Sequence, residues 1–183
     1  SISVTPGDFC LFVEPKSYIA KVGENIESDV RAVTYEGTPM ANREVNVRLL
    51  RRIWDRNEHI YRGTENFEET KAVTDKDGNA HVVFKTQAKY LTDTYYIVAS
   101  AKDDEKHLIM EDTSVWVASD NYPYLLGNDE AQKEPLTVKM DKEVYKPGET
   151  IRAMISAPVT GMEGAQAIVA VEGVQLYSYK AVD

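Results

Sequence analysis

A turn pattern that occurs twice constrains the fold of this chain more than any other feature. The stronger copy is K-P-G-E at 146–149, in which proline fixes φ and glycine permits a positive φ. Apolar and polar residues alternate on both sides of it from 136 to 155, which predicts two strands joined by the turn. The weaker copy is K-V-G-E at 21–24. Gly148 follows Gly23 by 125 residues, about the length of one β-sandwich domain, so one such domain and the start of a second are predicted.

The part of the chain before residue 119 has the pattern of an all-β domain without a helix. An Asp-Gly pair at 77–78 separates two apolar runs, which predicts a hairpin. Asp55–Lys71 is polar and charged, lacks periodicity, and is predicted to be a long, solvated connection. The pattern as a whole predicts a seven-stranded antiparallel β-sandwich of the immunoglobulin or fibronectin kind. Its strands are expected near 9–13, 26–32, 45–54, 80–84, 91–100 and 113–118, with one more that ends at 73.

The predicted domain boundaries follow composition. Residues 1–118 form the first domain, 119–135 form a linker rich in Pro, Asn and Asp, and 136–183 form the first part of a second domain. The linker sequence at 122–124, Tyr-Pro-Tyr, is expected to pack the domains together rather than to bind a ligand. Four strands do not close a seven-stranded sandwich, so either the second domain is truncated or further sequence completes it. Those four strands are predicted near 136–142, 150–157, 166–172 and 174–181.

The charge balance excludes some classes of partner. A net charge of −9 and a pI near 4.9 disfavour nucleic acid, because phosphate neutralisation needs clustered Lys and Arg. No apolar run approaches the roughly 18–20 residues of a transmembrane helix, so direct membrane insertion is not expected. The first residues lack a signal-peptide pattern, and the chain is interpreted as a fragment whose targeting signal, if any, lies elsewhere.

Cysteine and histidine content argues against catalysis. The single cysteine, Cys10, cannot form an internal disulfide, and within an apolar run it is expected to be a buried, inert thiol. His59, His81 and His107 fall in a predicted loop, strand and turn, and none has a recognisable nucleophile beside it. The chain is therefore predicted not to be an enzyme, with no catalytic residue and no cofactor.

Two acidic segments resemble cation sites, but neither is predicted to be one. In the segment 75–79 glycine comes fourth rather than sixth, so a plain Asp-Gly turn is favoured over a calcium loop. The segment 103–105 with Glu111 and Asp112 could hold a cation between loops, although most such clusters are merely solvated. No His or Cys grouping has zinc spacing, and no metal site is predicted.

Aromatic and basic residues suggest two further candidate binding surfaces. Tyr95 and Tyr96 are adjacent in a predicted strand and so point to opposite sheet faces, which excludes a single sugar-binding platform. The arginines at 48, 51, 52 and 56 form a local basic patch. The patch could dock an acidic neighbouring domain, but the solvent face of a strand is the favoured interpretation.

The run V-K-M-D-K-E-V-Y-K-P-G-E-T-I-R-A-M-I-S-A-P, with the apolar strand that ends in Val-Glu at 171–172, resembles the bacterial α2-macroglobulin family. The segments G-T-P-M at 37–40 and T-D-K-D-G-N-A at 74–80 resemble other parts of its macroglobulin-like domains. The thioester sequence Cys-Gly-Glu-Gln of that family is absent from these 183 residues. The residues that carry the main match are Asp141, Tyr145, Pro147, Gly148, Glu149, Ser156, Pro158, Val171 and Glu172.

The resemblance implies a structural fragment of a protease inhibitor that encloses a protease after an exposed bait segment is cut. Its partners would be neighbouring domains of the same polypeptide and the target proteases. Its location would be the periplasm or cell envelope, with a lipid anchor on a preceding segment as one possibility, or the exterior of the cell. The alternative is an immunoglobulin- or fibronectin-like binding or adhesion module of a cell-envelope protein, which would bind a ligand on its own.

Overall fold

The computed structural model describes residues 7–55, 58–119, 137–156, 167–172 and 176–182, and the described residues form strands, turns and loops without a helix. Accordingly, no helix in these ranges could cross a membrane. The strands are β1 (Phe9–Pro15), β2 (Ile19–Lys21), β3 (Asn25–Thr34), β4 (Glu44–Asp55), β5 (Ile60–Val73), β6 (Asn79–Lys85), β7 (Asp93–Lys102), β8 (Leu108–Ala118), β9 (Thr137–Met140), β10 (Ala153–Ser156), β11 (Ala167–Glu172) and β12 (Leu176–Val182).

The first eight strands form two sheets. One has the order β1-β3-β6, and the other has the order β2-β8-β7-β4-β5. All neighbouring strands in these sheets are antiparallel except β2 and β8, which pair in parallel from Ile19 and Trp116 onward. The prediction of an all-β fold is confirmed, and the two sheets are consistent with a β-sandwich.

A single hydrophobic core joins the inner faces of both sheets. Alternate positions along β3 and β6 are buried, as Ile26, Ser28 and Val30 illustrate on β3. The side chains of one sheet interdigitate with those of the other, which is the arrangement of packed sheets. The core comprises Phe9, Leu11, Ala20, Ile26, Val30, Ala32, Val45, Val47, Leu49, Val82, Phe84, Tyr90, Tyr95, Ile97, Ala99, Ala101, Ile109, Val115 and Val117.

The first part of the chain has eight strands rather than the predicted seven, and the additional strand is β2. After Pro15 the chain leaves the first sheet, and Ile19–Lys21 joins the second sheet beside β8. A strand of three residues is too short to show an alternating pattern. Its pairing with β8 is parallel, so the prediction of a purely antiparallel sandwich is wrong at this edge.

The prediction of a solvated connection from Asp55 to Lys71 is also wrong, because most of that segment belongs to β5. Its residues pair with β4 from Asp55↔Ile60 to Glu44↔Val73, with bulges at Leu49/Leu50 and Ile53/Trp54. β5 is the edge strand of its sheet, and its first seven residues, 60–66, are all exposed. Since both faces of this run are solvated, its sequence lacks the alternation that identifies a half-buried strand.

The contacts divide the chain into two units. The first comprises Ser1–Asn128 with Lys139–Met154, and the second comprises Asp129–Val138 with Ile155–Asp183. β9 pairs with β10, and β11 pairs with β12 in an antiparallel hairpin with a bulge at Val171/Glu172. Each of the four strands predicted after residue 135 overlaps one of these strands. The predicted domain limits of 1–118 and 136–183 stay predictions, and nearly all of the predicted linker, including 122–124, lies outside the described residues.

Candidate functional site

The two copies of the turn pattern have the same hydrogen bonds. In the first, Lys21 N donates to Glu24 Oε2 at 2.8 Å and Glu24 N donates to Lys21 O at 2.9 Å. In the second, the corresponding distances between Lys146 and Glu149 are 3.0 and 3.1 Å. The glycines at 23 and 148 have φ values of 95° and 88°, a region that favours glycine. The sequence repeat is therefore a structural repeat at the turn.

The correspondence extends into the strands that flank each turn. Lys16 N donates to Glu27 O at 2.9 Å, and 125 positions later Asp141 N donates to Arg152 O at 3.0 Å. The pKa values of the two turn glutamates are also shifted in the same direction. The backbone N–H of the turn lysine holds the pKa of Glu24 and of Glu149 below its ordinary value. Each carboxylate therefore accepts a hydrogen bond that stabilises its own turn.

Asp141 organises the start of the second copy. Its Oδ1 accepts hydrogen bonds from the Tyr145 hydroxyl at 2.5 Å and from Arg152 N at 3.1 Å. Burial acts to raise the pKa of Asp141, but these hydrogen bonds outweigh it and the pKa is lowered. Burial and the neighbouring Asp141 raise the pKa of Tyr145. The aspartate and tyrosine of the D-K-x-x-Y pattern thus form one contact that closes the turn.

Residues 139–154, here called the docked hairpin, contact the first sandwich through polar groups. Arg152 Nη2 donates to Glu24 Oε1 at 2.8 Å, while the other oxygen of Glu24 fastens its own turn. Tyr18 N donates to Asp141 O at 3.0 Å. The Lys139 ammonium lies 5.8 Å from the centre of the Trp116 ring, within cation–π range. All of these groups belong to the first unit.

The apolar side chains on β9 and just before β10 are exposed. Val138, Met140 and Ile151 are 55%, 48% and 47% exposed, and they alternate along the chain with the polar residues that make the contacts. The positions 125 residues earlier are Val13, Pro15 and Ile26. Pro15 and Ile26 are buried in the first sandwich, and Val13 packs against its core.

A cleft of about 370 Å³ lies beside the docked hairpin. Both of its lysines are engaged elsewhere, since Lys16 pairs with Asp29 and the Lys142 ammonium lies 3.4 Å from Glu149. Burial, with a smaller effect from nearby carboxylates, raises the pKa of the Tyr18 phenol. The cleft offers no paired acid and base for catalysis among its lining residues, which are Glu14, Pro15, Lys16, Tyr18, Asp141, Lys142, Glu143 and Val144.

The three histidines are not brought together. His59 has a φ of 55° in the turn before β5. His81 Nδ1 lies 2.8 Å from Asp29 Oδ1 on the outer face of β6. His107 lies in the β7–β8 turn, where its Nδ1 is 2.8 Å from Asp103 Oδ2 and its backbone N donates to Asp103 Oδ1 at 2.7 Å.

The acidic segments do not assemble a metal site in the described ranges, where no group of three or more candidate ligands is suitably placed. Asp103 binds His107, while Asp104 Oδ1 accepts from Arg43 at 2.8 Å. Asp112 lies 3.4 Å from Arg52 on another part of the surface. The predicted Asp-Gly turn is confirmed, because Asp75 Oδ1 accepts the backbone N–H groups of residues 77 and 79, each at 2.9 Å.

Two of the four arginines of the basic patch, Arg51 and Arg52, contact carboxylates. Arg51 is 15% exposed at its side chain and contacts Glu65 at 3.0 Å and Asp93 at 3.4 Å. Arg52 stacks 3.9 Å from the centre of the Tyr96 ring. The solvent-face interpretation is therefore wrong for Arg51, which two carboxylates hold in a half-buried position. Arg56 lies outside the described residues.

The aromatic prediction is confirmed. Tyr95 is fully buried, whereas Tyr96 faces Arg52 on the opposite side of the sheet.

Cys10 differs from expectation, because it is half-buried rather than buried. It alternates with the buried Phe9 and Leu11 on β1, and therefore lies on the outer face of that strand.

Sequence reasoning did not identify the contacts of the docked hairpin with Glu24 and Trp116. The available signal was the charge on alternate residues of an otherwise apolar segment, at Lys139, Asp141 and Arg152. That pattern distinguishes the two faces of a hairpin but does not name the surface that each face contacts.

No protein-family model matches the chain, and no curated protein matches it. Solved structures similar to it include α2-macroglobulin from Escherichia coli in its native conformation, with a TM-score of 0.47, 19% identity, and coverage of 98% of this chain and 12% of that chain. The trypsin-activated form from Escherichia coli has a TM-score of 0.46 and 20% identity, with coverage of 97% and 13%. A sporulation control protein from Bacillus subtilis has a TM-score of 0.47 and 12% identity, with coverage of 62% and 50%. The chain thus spans half or less of each of these proteins.

Proposed function

We propose that this chain is a structural segment of a bacterial α2-macroglobulin-like protease inhibitor that encloses proteases after its bait segment is cut. In this role the chain is not catalytic. It contributes immunoglobulin-like, macroglobulin-type sandwiches in tandem, and its partners are neighbouring domains of the same polypeptide and the enclosed protease. The protein would act in the periplasm, at the cell envelope or outside the cell.

The observation that carries the proposal is the reversed polarity of the docked hairpin. The side chains of Lys139 and Arg152 contact the first sandwich although Arg152 stays 50% exposed, and the apolar residues Met140 and Ile151, with the preceding Val138, are exposed to a similar degree. In an isolated domain the apolar face would be buried and the polar face solvated. The exposed positions correspond to core positions of the first sandwich, so the hairpin is best explained as the opening of a second sandwich with its own core.

Two details support the finer assignment. The residues of the D-K-x-x-Y-x-P-G-E pattern are joined by hydrogen bonds, from Tyr145 to Asp141 and from Lys146 N to Glu149, so the pattern has a structural cause. In the first sandwich, Leu91 N donates to the Tyr95 hydroxyl at 2.9 Å. A tyrosine near the start of this strand, bonded to the backbone a few residues upstream, is a feature of immunoglobulin-like sandwiches.

The function that follows is to form part of a rigid wall around the enclosed protease. Sandwiches with continuous cores are stiff bodies, and a wall built from them can exclude large substrates while small ones diffuse through. The joint between the first sandwich and the docked hairpin is made by hydrogen bonds and a cation–π contact, so it can change its arrangement without unfolding either core. Cleavage elsewhere in such a protein would then move domains as rigid bodies.

The test is to incubate the full-length protein that contains this chain with a panel of proteases. Residual activity is then measured on a large protein substrate and on a small peptide substrate. Enclosure predicts loss of activity on the protein substrate and retention on the peptide. Retention of both activities, or a full-length protein that survives uncut, would overturn the proposal. Ligand binding by the isolated 183-residue chain would instead favour a binding or adhesion module.

A further inference from the structure

The start of β2 lies between β8 and the docked hairpin. Tyr18 joins the two through its own backbone, because its N–H donates to Asp141 O at 3.0 Å and its carbonyl accepts from Trp116 N at 2.8 Å. The backbone of the next residue, Ile19, bonds the Ser17 hydroxyl, which donates to Ile19 O at 2.7 Å and accepts from Ile19 N at 3.2 Å. The hydrogen bonds that hold the start of β2 between its two neighbours are therefore those of Tyr18.

The side chain of Ile19 is buried outside the core. It is only 2% exposed and does not belong to the core cluster, whereas the next residue, Ala20, does. Ile19 lies beside Trp116 in the register of β2 and β8, so both side chains are on the outer face of the five-stranded sheet. The Lys139 ammonium lies over the Trp116 ring on that face. The docked hairpin is therefore the element that covers Ile19.

The other end of the β2 segment has an anchor that does not involve the docked hairpin. Thr86, directly after β6, is 2% exposed. Its hydroxyl accepts from Gly23 N at 2.8 Å and donates to Glu24 O at 2.7 Å, and its backbone N–H donates to Glu24 O at 3.2 Å. These bonds use the backbone of Glu24, whereas Arg152 binds its carboxylate. The turn at Glu24 therefore stays in place when the hairpin leaves.

We propose that the docked hairpin regulates the pairing of β2 with β8. While it is docked, it holds Tyr18 and covers Ile19. When it leaves, the Tyr18 N–H loses its acceptor and Ile19 loses its cover, so the start of this short parallel strand separates from β8. Its departure also uncovers the Trp116 ring and the adjoining backbone edge of β8. These contacts all lie within the first unit, so the inference does not depend on the inhibitor role.

The test is amide hydrogen exchange, followed residue by residue by NMR, in the native full chain and in a variant with Lys139→Gln and Arg152→Gln. The two substitutions remove the cations that contact the first sandwich and leave every backbone group in place. The Tyr18 N–H reports whether the hairpin is docked. The Trp116 N–H reports whether β2 is paired with β8, and the Thr86 N–H reports the anchored end.

The inference predicts that the N–H groups of Tyr18 and Trp116 exchange about three- to tenfold faster in the variant, by similar factors, while the Thr86 N–H is unchanged. Arg31→Gln, at an exposed arginine of β3, should change none of the three. Acceleration at Tyr18 alone would overturn the inference, because the hairpin would then leave without β2. No acceleration at Tyr18 would overturn it as well, since the hairpin would not be a releasable element. Equal acceleration at Thr86 would also contradict it, because the whole sandwich would then be destabilised.

Coupling of this kind is reciprocal, so a change in β2 should loosen the hairpin. Ile19→Val shortens the covered side chain and, in a Trp54→Phe background, should raise the constant for acrylamide quenching of Trp116. Ile97→Val is the matched control, because it removes the same methylene group from the core. A quenching constant that does not distinguish the two variants would contradict the coupling.

Discussion

At the scale of single residues, the Glu24 side chain stabilises both its own turn and the contact with the docked hairpin. One carboxylate oxygen fastens the turn to Lys21 N, and the other accepts the guanidinium of Arg152. Glu149 repeats only the first of these contacts through its Oε2. The turn was predictable because glycine determines it locally, with proline beside the glycine in the second copy. The contact with Arg152 was not, because it joins residues 128 positions apart.

Gly78→Ala is expected to destabilise the first sandwich by about 2–3 kcal/mol. Gly78 has a φ of 77°, and an added Cβ would lie 2.6 Å from the backbone oxygen of Ala32. Urea denaturation with a comparison of midpoints measures the effect. The matched control is Gly63→Ala, whose Cβ meets open space and which should change stability by less than about 0.5 kcal/mol. Equal effects of the two substitutions would contradict the account.

The His107–Asp103 contact predicts a specific pH dependence. The Asp103 carboxylate raises the pKa of His107 above its ordinary 6.5, so this stabilisation is present below 6.5 and is lost as pH rises through the raised value. Burial acts to raise the pKa of Asp103, but the hydrogen bonds from His107 lower it below 3.8, so its stabilisation is lost as pH falls through the lowered value. The contact therefore contributes most between about pH 4 and 6.5.

His107→Gln tests that window. The difference in unfolding free energy between the native chain and the variant should be largest near the middle of the window and should shrink in mildly alkaline buffer. Urea titrations at a series of pH values measure it. His59→Gln is the control, because the histidine lies in another turn. A difference that stays constant with pH would show that the charged form of His107 does not stabilise the fold.

At the scale of elements, the docked hairpin and β5 show what the alternation of apolar and polar residues could not predict. Alternation correctly predicted β9 and β10, but it did not show that their polar face contacts the first sandwich. β5 was missed because its exposed edge has no apolar face, and β2 was missed because three residues carry no period. Strands long enough to bury alternate residues on the core were predictable, whereas the three-residue β2 and the solvated first half of β5 were not.

Arg152→Gln is expected to loosen the docked hairpin. The side chains of Arg152 and Glu24 are 50% and 41% exposed, so their pair contributes only about 0.3–1 kcal/mol. In a Trp54→Phe background, acrylamide should quench Trp116 more readily in the variant, and added salt should move the native chain toward the variant. Arg31→Gln, at an exposed arginine of β3, is the control. Quenching that is indifferent to both Arg152 and salt would contradict an ionic joint.

At the scale of the whole molecule, the spacing of 125 residues between Gly23 and Gly148 carried most of the prediction. It correctly indicated two equivalent turns, and the hydrogen bonds of Lys16 and Asp141 extend the equivalence into the strands. The all-β class followed from Asp-Gly and alternating segments. The candidate site did not follow, because the outward direction of Val138 and Met140 depends on which surface the polar face contacts.

The central claim is that β9 and β10 open a second sandwich whose core includes Met140. The most direct measurement is the oxidation rate of methionines, by mass spectrometry, in this chain and in the full-length protein. Met140 and Met110 are 48% and 49% exposed here and should oxidise alike. The account predicts that Met140 becomes several-fold slower than Met110 in the full-length protein, because the completed core covers it. Equal rates for the two methionines in the full-length protein would contradict the second sandwich.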